Sequence, residues 1–452
     1  MTADQALVSA AVLIALVAPA WLLAVLTVPS ALQRPVGERL AGRLNRMALL
    51  VSGSAIVLAL CVYLVAGLDP HVISYGAWFT SGEGGFRFDF LVDGWSLGFA
   101  ALATGICGVV AAFSNRYLHR EPGYHRYFIL FCTFVTGIQL VALAGSIEVL
   151  FAGWELLGLS SALLVGFFQE RRAPVVNAFR VLVVYRAGDA ALLSAAVLLH
   201  AWAGSGSLTL LFSGAGATPG LSVTEATVIA TLLIAAVAAK SALLPFSGWL
   251  PRAMEGPTPS SAVYYGALSV HAGCFLLLRA SPLLEQSVFA CVLAGMAGLT
   301  TTLYATAAAR VQTDVKSVLA YATLTQLGLI VVEIALGLQT LAFIHILGHA
   351  SFRLLQFLSA PNILHDIHEL ENAIGARLTH GAAGGSQASR PASRWLYFLA
   401  LERGFLDPLL DRWIVEPFSR VTSQLDWFDR ALCGGSERPG HVSMSAEARS
   451  DD

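Results

Sequence analysis

Lysine is almost missing from this 452-residue chain: among 27 basic residues only Lys240 and Lys316 are lysines, and the rest are arginine. Charge of either sign is scarce at 12%, against roughly 25% in a soluble domain, which excludes an ordinary water-soluble globular fold. The formal net charge of −2 is neutral on a nucleic-acid partner, but the shortage of soluble surface argues against one. Cysteine is sparse and scattered. Cys61, Cys107, Cys132, Cys274, Cys291 and Cys433 show no C-x-x-C spacing, and five lie in apolar runs, so they read as small buried hydrophobes and not as disulfides or metal ligands. What the chain has in abundance is apolar sequence, 56% of residues with a mean hydropathy of +0.69. That composition specifies an all-α polytopic membrane protein. Residues 1–28 lack the basic start and small-residue cleavage site of a secretory signal and read as a first span.

A helix crosses the hydrocarbon core with about 20 apolar residues. By that measure eleven spans are expected, at 7–28, 47–67, 94–113, 127–145, 147–168, 177–202, 223–250, 259–280, 287–309, 315–336 and 338–358. Arginines concentrate in alternate loops: Arg34, Arg39, Arg43 and Arg46, then Arg116, Arg120 and Arg126, then Arg171 and Arg172. The intervening loops at 68–93 and 203–222 hold only Arg87. The positive-inside rule then places the N-terminus outside and the C-terminus in the cytoplasm of a bacterial inner membrane. "VISYGAWFTSGEGGFRFDFLVDG" alternates around a Gly-rich centre and predicts an external hairpin. The chain divides into N-terminal spans with this hairpin (1–113), a central region (114–358), an amphipathic cytoplasmic region (359–436) that contains the flexible stretch "HGAAGGSQASRPAS", and a disordered tail (437–452).

Ionisable residues inside spans are expensive and are functional candidates by default. Glu155 falls in the fifth span; Arg186 and Asp189 share a face of the sixth; Lys240 is in the seventh and His271 in the eighth. Lys316 begins the tenth, with Glu333 deeper in it, and His345, His349 and Arg353 recur every four residues on the eleventh. Several have plain structural readings. Arg186 and Asp189 read equally as a fixed ion pair, His271 as a satisfied buried imidazole, and Lys316 as a side chain snorkelling to the surface beside Arg310. His345 and His349 have the spacing of a zinc pair without a third ligand nearby, which suits proton relay better than a metal. His365 and His368 lie past the last span on what reads as solvated helix. Glu155 and Lys240 resist such readings, since a buried carboxylate and ammonium can exchange charge state when a third charge arrives. Pro245, five residues beyond Lys240, has no N–H, so the carbonyl of Ser241 is expected to lose its helical partner and the seventh helix to break. Broken helices at membrane depth line hydrated cavities and ion sites.

In order along the chain, "FAGWELLGLSSALL", "YRAGDAALL", "KSALLPFSGWLPRAMEGPTPSSA", "TDVKSVLAYATLTQLGL" and "HILGHASF" resemble the antiporter-like subunits of respiratory complex I and Mrp-type cation antiporters. The resemblance covers roughly residues 85–358 and implies that fold, with Glu155 and Lys240 central to proton translocation and Lys316, His345 and His349 continuing a polar axis. The membrane region ends after the eleventh span, so the second inverted repeat is expected to be incomplete; the family lysine beyond the two histidines is Arg353, and Tyr265 stands where a histidine is common. "ERRAPVVNAFRVLVVYRAGDA" and "LALERGFLDPLLDRW" carry a further resemblance, to the DabB family of membrane subunits of inorganic-carbon accumulation complexes. It implies a non-enzymatic transport subunit that conducts H⁺ or Na⁺, holds no cofactor or metal, and works with a DabA-like cytoplasmic partner whose zinc performs CO2 hydration. A divergent complex I or cation/proton antiporter subunit is the alternative, and a non-conducting membrane anchor a third.

Overall fold

The computed structural model describes residues 2–81, 84–209, 221–374 and 411–432, together with positions 395, 397, 400, 401, 408 and 410. The linker expected at 380–393 and the tail at 437–452 lie outside the described residues. Eleven helices among the described residues are long and apolar enough to cross a membrane. They are α1 (Ala3–Ala31), α2 (Glu38–Val65), α3 (Gly94–Tyr117), α4 (Tyr124–Leu143), α5 (Ile147–Val165), α6 (Arg172–Ala203), α7 (Val223–Lys240), α8 (Thr258–Arg279), α9 (Val288–Ala309), α10 (Val315–Ala335) and α11 (Gln339–Ile374). A twelfth helix, α12 (Glu416–Leu432), follows a π turn at Asp411–Val415.

Helix starts are set by capping side chains, which satisfy amide groups that have no intrahelical partner. Asp93 accepts from Ser96 N at 2.7 Å before α3, and Asp314 from Ser317 N at 2.8 Å before α10. Ser222 and Glu225 form a reciprocal capping box at α7. Between α2 and α3 the expected hairpin is present: β1 (His71–Ser81) pairs antiparallel with β2 (Gly84–Val92), in the register His71↔Val92 and Ile73↔Phe90. It is fastened to the head of α5, where Ser146 Oγ donates to Arg87 O at 2.9 Å and Gly145 N to Asp89 O at 2.8 Å.

Small residues allow the helices to cross closely. A Cβ at Gly137 of α4 would lie 2.9 Å from Gly153 O of α5, and one at Gly153 would lie 2.7 Å from Gly137 O. This crossing seats α5, with Glu155 half a turn further on, against the core. Helix α8 is the centre of the molecule, buried along its whole length, while α9 faces outward along most of its surface. One boundary differs from expectation. The seventh span stops at Lys240 instead of 250, because the chain turns there while remaining buried and apolar. The helix of the eleventh span, Gln339–Ala360, continues to Ile374, past His365 and His368.

Candidate functional site

Four charged side chains from three helices meet near the middle of the bundle. Arg186 and Asp189 lie one turn apart on α6, Glu155 projects from α5, and Lys240 is the last residue of α7. The Arg186 guanidinium joins the two carboxylates, one nitrogen 2.6 Å from Glu155 Oε2 and another 2.7 Å from Asp189 Oδ2. Lys240 is 1% exposed and no carboxylate among the described residues pairs with it directly. Its ammonium donates to the carbonyl of Trp154 at 3.1 Å and sits 4.8 Å from the Trp154 ring centre and 4.5 Å from that of Tyr185. Carbonyl and ring faces supply negative potential to a cation stripped of water. Glu155 and Lys240 thus belong to one charged cluster without touching: Arg186 occupies Glu155, and Lys240 bonds to the carbonyl of the neighbouring Trp154.

The chemistry of this cluster follows from its charge count. With all four groups ionised, two anions balance two cations. Arginine keeps its proton under all ordinary conditions, whereas a buried lysine can give its proton up. Loss of the Lys240 proton leaves one uncompensated negative charge among Glu155, Asp189 and Arg186. Breaking the balance of a buried charge set costs several kcal/mol, so the cluster resists such a change until another cation arrives. Space is tailored for the ammonium, since a Cβ on Gly158 would come within 3.2 Å of Lys240 Nζ.

Beyond Lys240 the helix ends in a Schellman-type turn. Ala242 adopts the left-handed conformation with φ +55°, and Leu243 N bonds back to Ala238 O at 2.9 Å. Leu244 N donates to Thr301 Oγ1 of α9 at 2.9 Å, so a neighbouring helix satisfies the opened backbone. The break thus starts at Ser241, one turn before Pro245. Short helical turns at Phe246–Gly248, Trp249–Arg252 and Ala253–Glu255 lead to α8, which opens into a π segment at Ser261–Ala267 that includes Tyr265. Such segments recur where a helix carries function.

A second polar cluster surrounds His271. Arg353 Nε donates to His349 Nε2 at 3.0 Å, and His349 Nδ1 lies 2.9 Å from His271 Nε2. A guanidinium has no acceptor, so His349 Nε2 must accept, its Nδ1 carries the proton and donates to His271, and His271 is in turn protonated on Nδ1. Both imidazoles are neutral in this string. Arg353 also donates to Gln356 Oε1 at 2.5 Å. His345 belongs to a separate string: Nδ1 lies 2.9 Å from Glu333 Oε1 and Nε2 3.1 Å from Gln326 Oε1. The His345 and His349 ring centres are 6.0 Å apart. No group of three potential metal ligands occurs among the described residues.

The two clusters touch through one hydrogen bond. Ser241, the residue after Lys240, donates to the carbonyl of Val270, the residue before His271, at 2.7 Å. Lys316 is not brought to either cluster; it is half-buried in the first turn of α10 and makes no ion pair among the described residues. Sequence reasoning missed Gln326, Gln356, Ser241, Thr301 and the aromatic seat of Lys240. Part of that seat was signalled, since Trp154 directly precedes Glu155 and Tyr185 directly precedes Arg186. It also missed pairs at the hairpin end of the bundle, Glu148 with His200 at 2.5 Å and Asp93 with Arg279 at 2.5 Å.

Residues 144–379 match the family described as NADH:quinone oxidoreductase/Mrp antiporter, TM, and residues 78–128 match NADH-Ubiquinone oxidoreductase (complex I), chain 5 N-terminus. The chain belongs to the NADH:quinone oxidoreductase/Mrp antiporter family. Within that family it is 32% identical over 346 residues to NADH-quinone oxidoreductase subunit L of Neisseria meningitidis, covering 72% of this chain and 51% of that one. It is 31% identical over 353 residues to the probable inorganic carbon transporter subunit DabB1 of Halothiobacillus neapolitanus, covering 76% and 62%. The chain spans about half the length of the first of these curated relatives. Among solved structures, the Mrp complex from Dietzia sp. superposes with a TM-score of 0.65 at 27% identity, over 89% of this chain and 43% of that one. As a member of this NADH:quinone oxidoreductase/Mrp antiporter family the chain is an antiporter-like, multi-pass membrane protein.

Proposed function

We propose that this chain is the ion-translocating subunit of an inorganic-carbon accumulation complex, coupling downhill entry of H⁺ or Na⁺ to CO2 hydration by a DabA-like, zinc-containing cytoplasmic partner. The ion-translocating part is carried by one observation: a buried lysine with no direct counter-ion among the described residues, next to a guanidinium shared by two carboxylates, at the point where its helix breaks. Lys240 is the releasable cation, Glu155 and Asp189 set the local charge, and Arg186 is the counter-ion that follows it. His271, His349, Arg353, His345 and Glu333 extend the polar path on the other side of Ser241, and Lys316 serves at its arginine-rich end. The inorganic-carbon part is supported by the DabB1 relative, which matches a larger share of both chains than subunit L does. The chain itself holds no cofactor in this reading, and the metal belongs to the partner.

In this reading the protein sits in the bacterial inner membrane with the hairpin outside and α12 on the cytoplasmic side. The exposed apolar stripe of α12, Val421, Leu425, Phe428 and Leu432, recurs at helical spacing and suits partner docking. The decisive test is growth in air of a strain lacking other inorganic-carbon uptake. Lys240→Ala and Glu155→Gln should assemble with the partner and fail to rescue; rescue by assembled variants would end the coupling role. The 32% identity to subunit L favours a second reading, a subunit of a redox-driven or cation-exchanging complex. Co-purification in mild detergent separates the two, since a zinc-containing soluble protein accompanies the chain in the first and quinone-reducing subunits in the second.

A further inference from the structure

A groove of about 450 Å³ runs between α1 and α2 on the outer surface of the bundle, and every residue lining it is apolar. Leu13, Val17 and Trp21 form one wall, and Leu44, Met47 and Val51 the other. Trp21 and Met47 are 56% and 59% exposed, so this protein leaves the groove open to whatever surrounds it. On α2 the groove continues into charge. Arg39, Arg43, Met47 and Val51 succeed one another at intervals of four, so they form one row along the helix, two arginines leading into two groove residues. The row from Arg43 to Val51 covers about 12 Å at 1.5 Å per residue. Both arginines are exposed, and neither has an ion-pair partner among the described residues. Glu38, the acidic residue in the first turn of α2, is engaged by His119 Nδ1 at 3.0 Å. The first amides of α2 lack a capping side chain, because Gly37 is the N-cap, and such amides favour an anion.

We infer that the α1–α2 groove is the seat of one anionic phospholipid, its acyl chain along Met47 and Val51 opposite Trp21, and its phosphate on the Arg39–Arg43 row. The occupant is chosen by charge complementarity: apolar walls suit any acyl chain, but two unpaired guanidiniums at the mouth select a headgroup with net negative charge over a zwitterion. The seat is independent of the ion path and of which complex the chain serves.

Trp21 provides the readout. The intact complex is reconstituted into phosphatidylcholine vesicles containing an equal mole fraction of either brominated phosphatidylglycerol or brominated phosphatidylcholine, and tryptophan quenching is compared with that of Trp21→Phe to isolate the Trp21 signal. The expected result is selective quenching of Trp21 by the glycerol lipid, with the preference falling about fivefold for each of Arg39→Gln and Arg43→Gln, the effect of about 1 kcal/mol per arginine at an anionic surface. Equal quenching by both lipids, or a preference that survives both arginine substitutions, would overturn the assignment. Absence of quenching by either lipid would also overturn it, because another protein subunit then covers the groove.

Discussion

Charge type, more than charge, decides what the central cluster can do. Lys240 and Arg186 are both cations in the same apolar bundle, yet the first donates to a single carbonyl between two aromatic rings and the second holds two carboxylates at 2.6 and 2.7 Å. Lys240→Arg keeps the charge and removes the releasable proton. Ion flux in reconstituted vesicles is expected to fall to background while the protein still folds and assembles; flux near wild type would mean that Lys240 serves only as a fixed cation. A parallel argument holds at Arg353, which fixes the protonation pattern of His349 and His271 by being unable to accept. Arg353→Gln offers either a donor or an acceptor to His349 Nε2, so the imidazoles lose their single tautomer. Side-chain nitrogen NMR of histidine-labelled protein should show one Nδ1–H form in the wild type and a mixture in the variant. The candidate residues themselves were legible because charges in apolar spans stand out. Their pairing was not, because periodicity on one helix does not say which face meets which neighbour, and Arg186, read as tied to Asp189, reaches Glu155 as well. Gln326 and Gln356 stayed hidden because neutral amides in a helix carry no comparable signal.

At the scale of elements, most of the spans and the hairpin follow from apolar run length, alternation and the capping residues. Pro245 signals the break in α7, but hydropathy does not mark where the helix ends, because it continues through Leu243, Leu244, Phe246 and Trp249 after the helix has stopped. A helix end that is buried looks like more helix to composition. The stop depends instead on two local devices. Ala242 at φ +55° carries a cost of about 1 to 2 kcal/mol that glycine would not, partly offset by glycine's greater entropy loss of about 0.5 to 1 kcal/mol. Ala242→Gly should therefore leave stability equal or slightly raised, and Ala242→Val should lower it sharply, since a β-branched side chain tolerates this conformation worst. Thr301 supplies the other device, accepting from Leu244 N at 2.9 Å. Thr301→Val removes that acceptor from a buried amide, at a cost of about 1 to 3 kcal/mol. Thermal unfolding in detergent would check both substitutions, and an unshifted midpoint for Thr301→Val would show that the broken helix does not rely on α9.

At the scale of the whole molecule, one helix connects the ion cluster to the C-terminal element. Arg180 of α6 grips Asp411 with both ends of its fork, Nε to Oδ1 at 2.9 Å and a terminal nitrogen to Oδ2 at 2.6 Å. Phe179 meets Phe418 beside it, with ring centres 6.0 Å apart. Arg186 stands six residues further along the same helix, about 9 Å at 1.5 Å per residue. This helix is held at one point by Asp411 of the π turn and Phe418 of α12 and at another by the two carboxylates, so a partner bound to α12 would have a mechanical path to Arg186. The sequence showed the amphipathic face of the C-terminal segment, but Arg180 looked like one more arginine near the end of a span and Asp411 like one more solvated carboxylate. Bidentate pairs of this kind are worth about 1.5 to 3 kcal/mol when partly buried. Arg180→Asp and Asp411→Arg should each release α12, seen as faster amide hydrogen exchange over 411–432 and reduced recovery of the partner on purification. The double exchange, which restores opposite charges, should recover both. Slow exchange in either single variant would place the attachment of α12 in its apolar contacts instead of this pair, and the route from α12 to Arg186 would then lose its anchor.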